Sequence, residues 1–552
     1  MISRHRHSYS ILLFNALLLL SACANMVTPE GGPDDNDPPV ADYFSPENNS
    51  VNFASNSITI KFNEYIQLNN IFNQVLISPP MSETPDFKLK GKTLTITLNS
   101  PLKDSTTYTI NFGQSIKDIT KGNTLDNFTY VFSTGDFLDS LEVSGKITDL
   151  LTGSPSSTAF AVLYLNSNDS AFLNQPPYYF AKVDETGSFT IKNIRSGNYR
   201  LYAIEDQNFN YYFDLPNEKI AFLSDEIKID SVVPNQKLRI FLEDKQTQNL
   251  NEIKSPAYAT TRLVFSAPTY NVSINYIGDG PENGLFLKSK NTDTILYFNK
   301  NYHLEKHIFS IAFDTTILTK EVEVKKAPDD SLLQKSKNTF TVNTPFIKGG
   351  GRADWDLKKD IILSFLHPLD TSLIGEVKIR KDTSDYVAAL QHIDASDSRK
   401  LIISYPWAEA TNYDIHIPQN ITKDIFGLSN DSMTIKIKTK KETDYASLAI
   451  QLSSEANAGI IFQVLSFDQQ LVIEKYLDES LFNADTHTVV LDHLLPGIYK
   501  IKAVVDIDGN GKWTAGDLLM HKQPEPVYFF PVDQNLRANW KNELEWDLNS
   551  RN

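Results

Sequence analysis

Ser57-Ile58-Thr59-Ile60-Lys61-Phe62 sets an apolar side chain at every second position. The same beat returns in Leu94-Thr95-Ile96-Thr97-Leu98 and in Tyr108-Thr109-Ile110-Asn111-Phe112. Successive side chains of a strand point to opposite faces, so period-two runs bounded by Asn, Pro, Gly and Asp read as half-buried antiparallel strands. No window of about a dozen residues carries a comparable helical stripe. Short strands at this spacing predict an all-β chain of tandem β-sandwich modules.

The bulk numbers fit that reading. A chain of 552 residues has room for about three to five domains of roughly 150 residues each. Its 41% hydrophobic and 22% charged content is ordinary for folded domains and argues against a disordered stalk. A net charge of −16 leaves no basic face for phosphate, which excludes a nucleic-acid binder. Cys23 is the single cysteine. Beyond it, no disulfide or cysteine chemistry can operate, and each module must be held together by apolar burial alone.

The N-terminus carries an address. Arg4 and Arg6 precede an apolar run from Ile11 to Leu20, and small residues follow, the layout of a secretory signal. The run is shorter than the about twenty apolar residues of a membrane-spanning helix. Leu20-Ser21-Ala22-Cys23 resembles the lipobox of bacterial lipoproteins, which implies removal of residues 1–22 and lipidation of Cys23. Residues 23–40, dense in Pro, Gly and Asp, read as a flexible tether.

Five modules are expected after the tether. Residues 41–136 contain Phe62-Asn63-Glu64-Tyr65-Ile66 and Asn111-Phe112-Gly113 and end in Tyr130-Val131-Phe132-Ser133-Thr134-Gly135. This segment resembles the bacterial Ig-like domain of surface-layer proteins and Bacteroidota lipoproteins. Within it, Leu102-x-x-x-Thr106-x-Tyr108 fits either a tyrosine corner, with the hydroxyl tied to backbone, or a plain core tyrosine. Residues 139–240 carry a turn at Asp184-Glu185-Thr186-Gly187 and then Gly197-Asn198-Tyr199-Arg200-Leu201. They resemble the prealbumin-like, carboxypeptidase-regulatory type of small sandwich. A strand-rich unit follows at 255–330, and Gly349-Gly350-Gly351 reads as a hinge.

An internal repeat organises the whole. Gly197-Asn198-Tyr199-Arg200-Leu201-Tyr202-Ala203-Ile204-Glu205-Asp206 returns as Gly497-Ile498-Tyr499-Lys500-Ile501-Lys502-Ala503-Val504-Val505-Asp506. Thr106-Thr107-Tyr108 returns as Thr411-Asn412-Tyr413, and Gly122 as Gly427. A second, divergent Ig-like module at 340–440 and a second prealbumin-like module at 443–548 are therefore expected, with the five modules in a row.

The sharpest chemical motif is Asp506-Ile507-Asp508-Gly509-Asn510-Gly511-Lys512-Trp513-Thr514-Ala515-Gly516-Asp517. Oxygen side chains at positions one, three and five, glycine at six and a carboxylate at twelve match a calcium loop. The candidate ligands are Asp506, Asp508, Asn510, the Lys512 carbonyl and Asp517. A polar loop fixed by Asx turns and Trp513 packing is the other reading. The first copy, Asp206-Gln207-Asn208-Phe209-Asn210-Tyr211, replaces the glycine with tyrosine and reads as metal-free.

Catalytic patterns are missing. His303-Leu304-Glu305-Lys306-His307 has its glutamate one place too late for a zinc-protease helix. Asp354 and Asp356 beside Trp355 read as a solvated face rather than a glycosidase pair. Tyr211, Tyr212 and Phe213 read as core or interdomain packing rather than a binding platform. Over most of its length the chain resembles Ig-like-domain lipoproteins of Bacteroidota, Gly31-Gly32-Pro33-Asp34 included. That resemblance implies an outer-membrane lipid anchor, with the periplasmic or cell-surface face left open. The expected role is a non-enzymatic envelope scaffold or assembly partner of outer-membrane proteins. The alternative is a surface glycan- or adhesin-type binding protein. No cofactor is required, beyond a structural calcium ion if the loop takes one.

Overall fold

The computed structural model describes residues 35–549, apart from 127, 166–170, 209–210, 245–247, 270–271, 279–283, 289–292, 314, 334, 345–350 and 483–485. Cys23, the signal segment, the first part of the tether and Gly349-Gly350 lie outside the described residues. Nearly all of the rest is strand and turn, and the α-helices are single turns such as Ile71–Gln74. No helix among the described residues is long and apolar enough to cross a membrane.

The alternating runs become the inner strands of sandwiches. In the first module, Ala41–Ser45, Ser57–Phe62, Thr93–Thr97 and Asp86–Lys90 form one sheet in that order, and Leu76–Ser78, Thr107–Asn111 and Thr129–Ser133 form the facing one. Ile58, Ile60, Leu94, Ile96, Ile110 and Phe112 meet between them, while the intervening threonines point away. The fourth module repeats this plan. Phe340–Val342, Ile361–Phe365, Lys400–Ser404 and Leu390–Ile393 make one sheet, and Met433–Thr439, Asn412–Ile417 and Lys378–Lys381 lie in the other.

The duplication reaches individual hydrogen bonds. The Tyr108 hydroxyl accepts the Lys103 N–H at 2.9 Å, and the Tyr413 hydroxyl accepts the Ala408 N–H at 2.9 Å. This is the backbone tie of the tyrosine-corner reading. Thr134 Oγ1 accepts the Thr106 N–H at 3.0 Å, and Thr439 Oγ1 accepts the Thr411 N–H at 2.9 Å. Gly122 and Gly427 both turn at φ +81, where a side chain would be strained.

The second and fifth modules also match each other in topology. In each, the first strand (Leu141–Asp149 or Ala446–Ser453) runs parallel to the last (Val233–Leu242 or Lys541–Asp547). In each, the Gly-x-Tyr strand (Gly197–Glu205 or Gly497–Asp506) lies central in its sheet. Tyr199 donates its hydroxyl to the Arg195 carbonyl and Tyr499 to the Leu495 carbonyl, both at 2.8 Å. The third module pairs a sheet of Leu250–Lys254, Thr260–Phe265, Thr294–Asn299 and Gly284–Lys288 with one of Ser273–Tyr276, Lys306–Phe313 and Thr316–Glu323.

The expectation of five modules in a row does not survive. Phe160-Ala161-Val162-Leu163-Tyr164 is a continuous apolar run, buried at every position, as a strand covered on both faces must be. Ala161, Leu163, Leu201 and Ala203 fill the second module's own core. Phe160, Val162, Tyr202, Ile204, Ile220 and Phe222 turn the other way and meet Ile461, Val504, Leu518 and Val527 of the fifth module in one apolar cluster. At the edges of this seam Arg239 donates to the Val527 carbonyl at 2.9 Å, Gln523 to the Phe222 carbonyl at 2.9 Å, and the Leu518 N–H to Glu243. The chain therefore folds back and joins its second module to its fifth.

His303 and His307 form no metal pair. His307 is fully buried (0% exposed) on Lys306–Phe313, with Nδ1 2.8 Å from Thr261 Oγ1 and the rings of Tyr276, Tyr297 and Phe309 around it. Burial lowers its pKa from 6.5 to about 4. The unfolded chain then binds a proton that the folded chain refuses. Stability from this residue is present above pH 6.5 and is lost as the pH falls toward 4, by up to about 3 kcal/mol. Melting curves across that range should show the loss, and His307→Gln should flatten it. Tyr108→Phe and Tyr413→Phe should each remove about 1–2 kcal/mol by orphaning an N–H, additively because the two sit in separate modules. Urea denaturation of the single and double variants measures both numbers.

Candidate functional site

The carboxylate loop starts where the Gly-x-Tyr strand delivers Asp506 into the protein at 1% exposure, opposite Gly459 of the neighbouring strand. A buried carboxylate must find donors, and Asp506 finds them in its own loop. Oδ1 accepts the Asn510 N–H at 3.1 Å and Oδ2 the Gly511 N–H at 2.9 Å. Gly509 and Gly511 supply the left-handed turns, at φ +71 and +73. Asn510 Oδ1 accepts the Lys512 N–H at 2.7 Å, and Lys512 itself is exposed.

A residue absent from the sequence motif closes the loop. Glu525, 4% exposed, accepts the Ile507 N–H at 2.7 Å and the Asp508 N–H at 3.3 Å on Oε1, and the Thr514 N–H at 2.8 Å on Oε2. Trp513 donates its indole N–H to the Glu525 carbonyl at 3.1 Å and leans into the seam cluster. Asp508 is exposed, and a hydrogen bond from the Thr514 hydroxyl at 2.7 Å holds its carboxyl below the usual range.

One carboxylate oxygen each from Asp506, Asp508 and Glu525 lie within 4.8 Å of one another. Asp517 is not in this group. Its Oδ1 accepts the Met520 N–H at 2.9 Å, and its backbone pairs with Lys522. Of the carboxylates read from sequence, the fold thus brings Asp506 and Asp508 together, sends Asp517 into a turn and adds Glu525. The donor set is hard oxygen, as calcium prefers, but the buried oxygens already serve main-chain N–H groups.

The first copy builds the same cradle. Asp206 accepts the Asn208 N–H at 3.1 Å and the Tyr211 N–H at 2.7 Å. Glu218, 0% exposed, accepts from Gln207 at 3.2 Å and from Asp214 and Leu215, both at 3.0 Å. Tyr211 stands where the second copy has Gly511 and keeps its positive φ of 65, a conformation that a bulky residue adopts only under strain. Its ring stacks on Phe180 at 5.8 Å and meets Phe160 edge-on at 5.3 Å, so seam packing holds it there. In both copies a glutamate stands two residues before the return strand's first buried aliphatic, as Glu218-Lys219-Ile220 and Glu525-Pro526-Val527. Aligning the copies past the loop would have found it.

The other sequence candidates are structural. Trp355 is buried and donates to the Lys359 carbonyl at 3.0 Å, and Asp356 accepts the Tyr445 hydroxyl at 3.1 Å. Tyr211 and Phe213 pack against the seam.

Residues 35–134 match the family described as bacterial Ig-like domain, and residues 150–229 match polysaccharide lyase family 4, domain II. A comparison with curated proteins finds no match. Among solved structures, the chain is similar to the S-layer protein SbsC at 13% identity and TM-score 0.13, over 84% of this chain and 65% of that one. It thus spans just under two thirds of that S-layer chain. It is also similar to BcpA, the major pilin subunit of Bacillus cereus, at 9% identity and TM-score 0.14, over 74% of this chain and 99% of that one. A three-domain segment of titin matches at 8% identity and TM-score 0.14, over 54% and 98%.

The cradle makes separable predictions. Glu525→Ala orphans buried N–H groups and should cost about 2–4 kcal/mol of fifth-module stability, whereas Asp517→Ala should stay within about 1 kcal/mol. If calcium adds to the loop with a dissociation constant on the order of 0.1–1 mM, then 1 mM calcium raises stability by about 0.4–1.4 kcal/mol. Asp508→Ala should remove that increment while leaving the metal-free fold intact. Thermal melts with calcium and with chelator read all of these effects.

Proposed function

We propose that this protein is a non-enzymatic, lipid-anchored scaffold of the outer membrane, tethered through Cys23 and serving as an assembly partner for outer-membrane proteins. The observation that carries the scaffold reading is the seam. It ties the second module of a multi-module chain to the fifth and gives the most motif-like loop a mechanical task. The match of residues 35–134 to bacterial Ig-like domains supports an architectural role, and the lipobox-like run at Leu20–Cys23 supports the anchor. No cofactor is required on this reading. Calcium at Asp506, Asp508 and Glu525 would stiffen a loop that its own main chain already holds.

A second reading, glycan binding, has one specific observation in its favour. A cavity of about 610 Å³ opens between the first and second modules. Ser78, Thr109, Asn111, Thr129 and Asn193 line it with hydroxyls and amides, and Phe180 adds an aromatic ring. Such a lining suits a polyhydroxylated ligand. Affinity purification from envelopes separates the two readings: the scaffold recovers an outer-membrane protein at near-equal stoichiometry, the binder recovers polysaccharide. Under either reading, Cys23→Ser should move the chain from the membrane to the soluble fraction, and retention in the membrane would remove the anchor.

A further inference from the structure

The seam between the second and fifth modules is one surface used twice. Phe160 pairs with Ile204 across adjacent strands of the second module, as Ile461 pairs with Val504 in the fifth. Ile204 pairs with Ile220, as Val504 pairs with Val527. The residues at these matching positions all point out of their own sandwich and into the shared cluster. Two copies of one face therefore meet each other, the arrangement of a symmetric dimer written into a single chain.

We propose that this face is also a self-recognition surface between molecules, with the second module of one chain seated on the fifth module of a second copy and the exchange made reciprocally. Nothing inside a module has to change for this. Leu201, Ala203, Ile501 and Ala503 fill the modules' own cores from the opposite side of the same strands. The Arg239–Val527 and Gln523–Phe222 hydrogen bonds join residues far apart in sequence, and they re-form unchanged across the exchanged seam. The third and fourth modules, spanning Leu250–Thr439, form the connector. Within one chain the closed clasp is favoured by an effective concentration on the order of millimolar. Exchange therefore needs opening at high protein concentration, and the exchanged form persists once closed.

The experiment uses the full chain after the signal with Cys23→Ser, so that lipid plays no part. Equal amounts of ¹⁴N- and ¹⁵N-labelled protein are opened together in moderate urea, returned to buffer at high concentration and weighed by native mass spectrometry. The expected result is a dimer of intermediate, mixed-isotope mass that stays dimeric on dilution. Val504→Lys puts a charge into the seam while leaving the fifth module's own core untouched. Because the closed monomer and the exchanged dimer carry the same seam, it should leave the dimer fraction within about threefold but shorten the dimer's lifetime on dilution at least about tenfold, with the strand signal in circular dichroism retained. Arg239→Ala, which removes only the hydrogen bond to Val527, should shorten that lifetime about three- to tenfold and decides the matter if Val504→Lys does not fold. Monomer alone under every opening condition overturns the proposal, as does a mixed dimer whose lifetime on dilution neither variant changes.

Discussion

The contact between the outer faces of the second and fifth modules constrains everything else in this molecule. A sheet with one apolar face makes a sandwich, but a sheet with two must find a second partner. Phe160, Val162, Ile204 and Phe222 would each forgo about 1.5–3 kcal/mol if left in water. The fifth module supplies Ile461, Val504 and Val527 to cover them. Polar groups at the edges, among them Arg239, Gln523 and Glu243, fix the register of an otherwise non-directional contact.

The acidic loop takes its meaning from that contact. Asp506 and Glu525 hold the loop's main chain, and the loop carries Trp513 and Leu518 to the seam. Gly516 lies so close to Phe241 that a Cβ there would sit 2.7 Å from the ring. The corresponding loop of the second module brings Tyr211 and Phe213 to the same cluster. The loops are jaws as much as candidate ion sites, and their buried carboxylates act first on the backbone. The joints between successive modules are slighter. Asn193 donates to Thr109 Oγ1 at 2.9 Å between the first and second, and the Leu357 N–H meets the Tyr445 hydroxyl at 2.8 Å between the fourth and fifth. Between the third and fourth, the Tyr258 ring lies 5.5 Å from His367.

Local patterns were legible and long-range ones were not. Ser57–Phe62 alternates because one of its faces is solvated, so period alone identifies it as a strand. Thr106 and Tyr108 repeat as Thr411 and Tyr413 because a hydroxyl tied to a nearby backbone group needs only a short, fixed spacing. Asp506 and Asp508 come together for the same reason, two residues apart on one tight loop. Glu525 is not legible in the motif because its partners lie across a loop whose path no local rule dictates, and the match of Asp517 to position twelve rests on counting alone. Phe160–Tyr164 carried a signal, a run with no polar face, but such a run does not say what covers it.

The sequence by itself therefore determined the strands, the all-β sandwich class they build, the repeated motifs and the single thiol at Cys23, since each rests on spacing within a few residues or on identity at one position. The tertiary structure alone decided that the chain closes on itself, that Glu525 completes the cradle in place of Asp517, and that Tyr211 tolerates a left-handed turn. Each of these depends on which distant surface removes an apolar face or a buried charge from water. That choice is made by complementarity between segments some three hundred residues apart (Phe160 and Ile461 among them), and no local pattern encodes it.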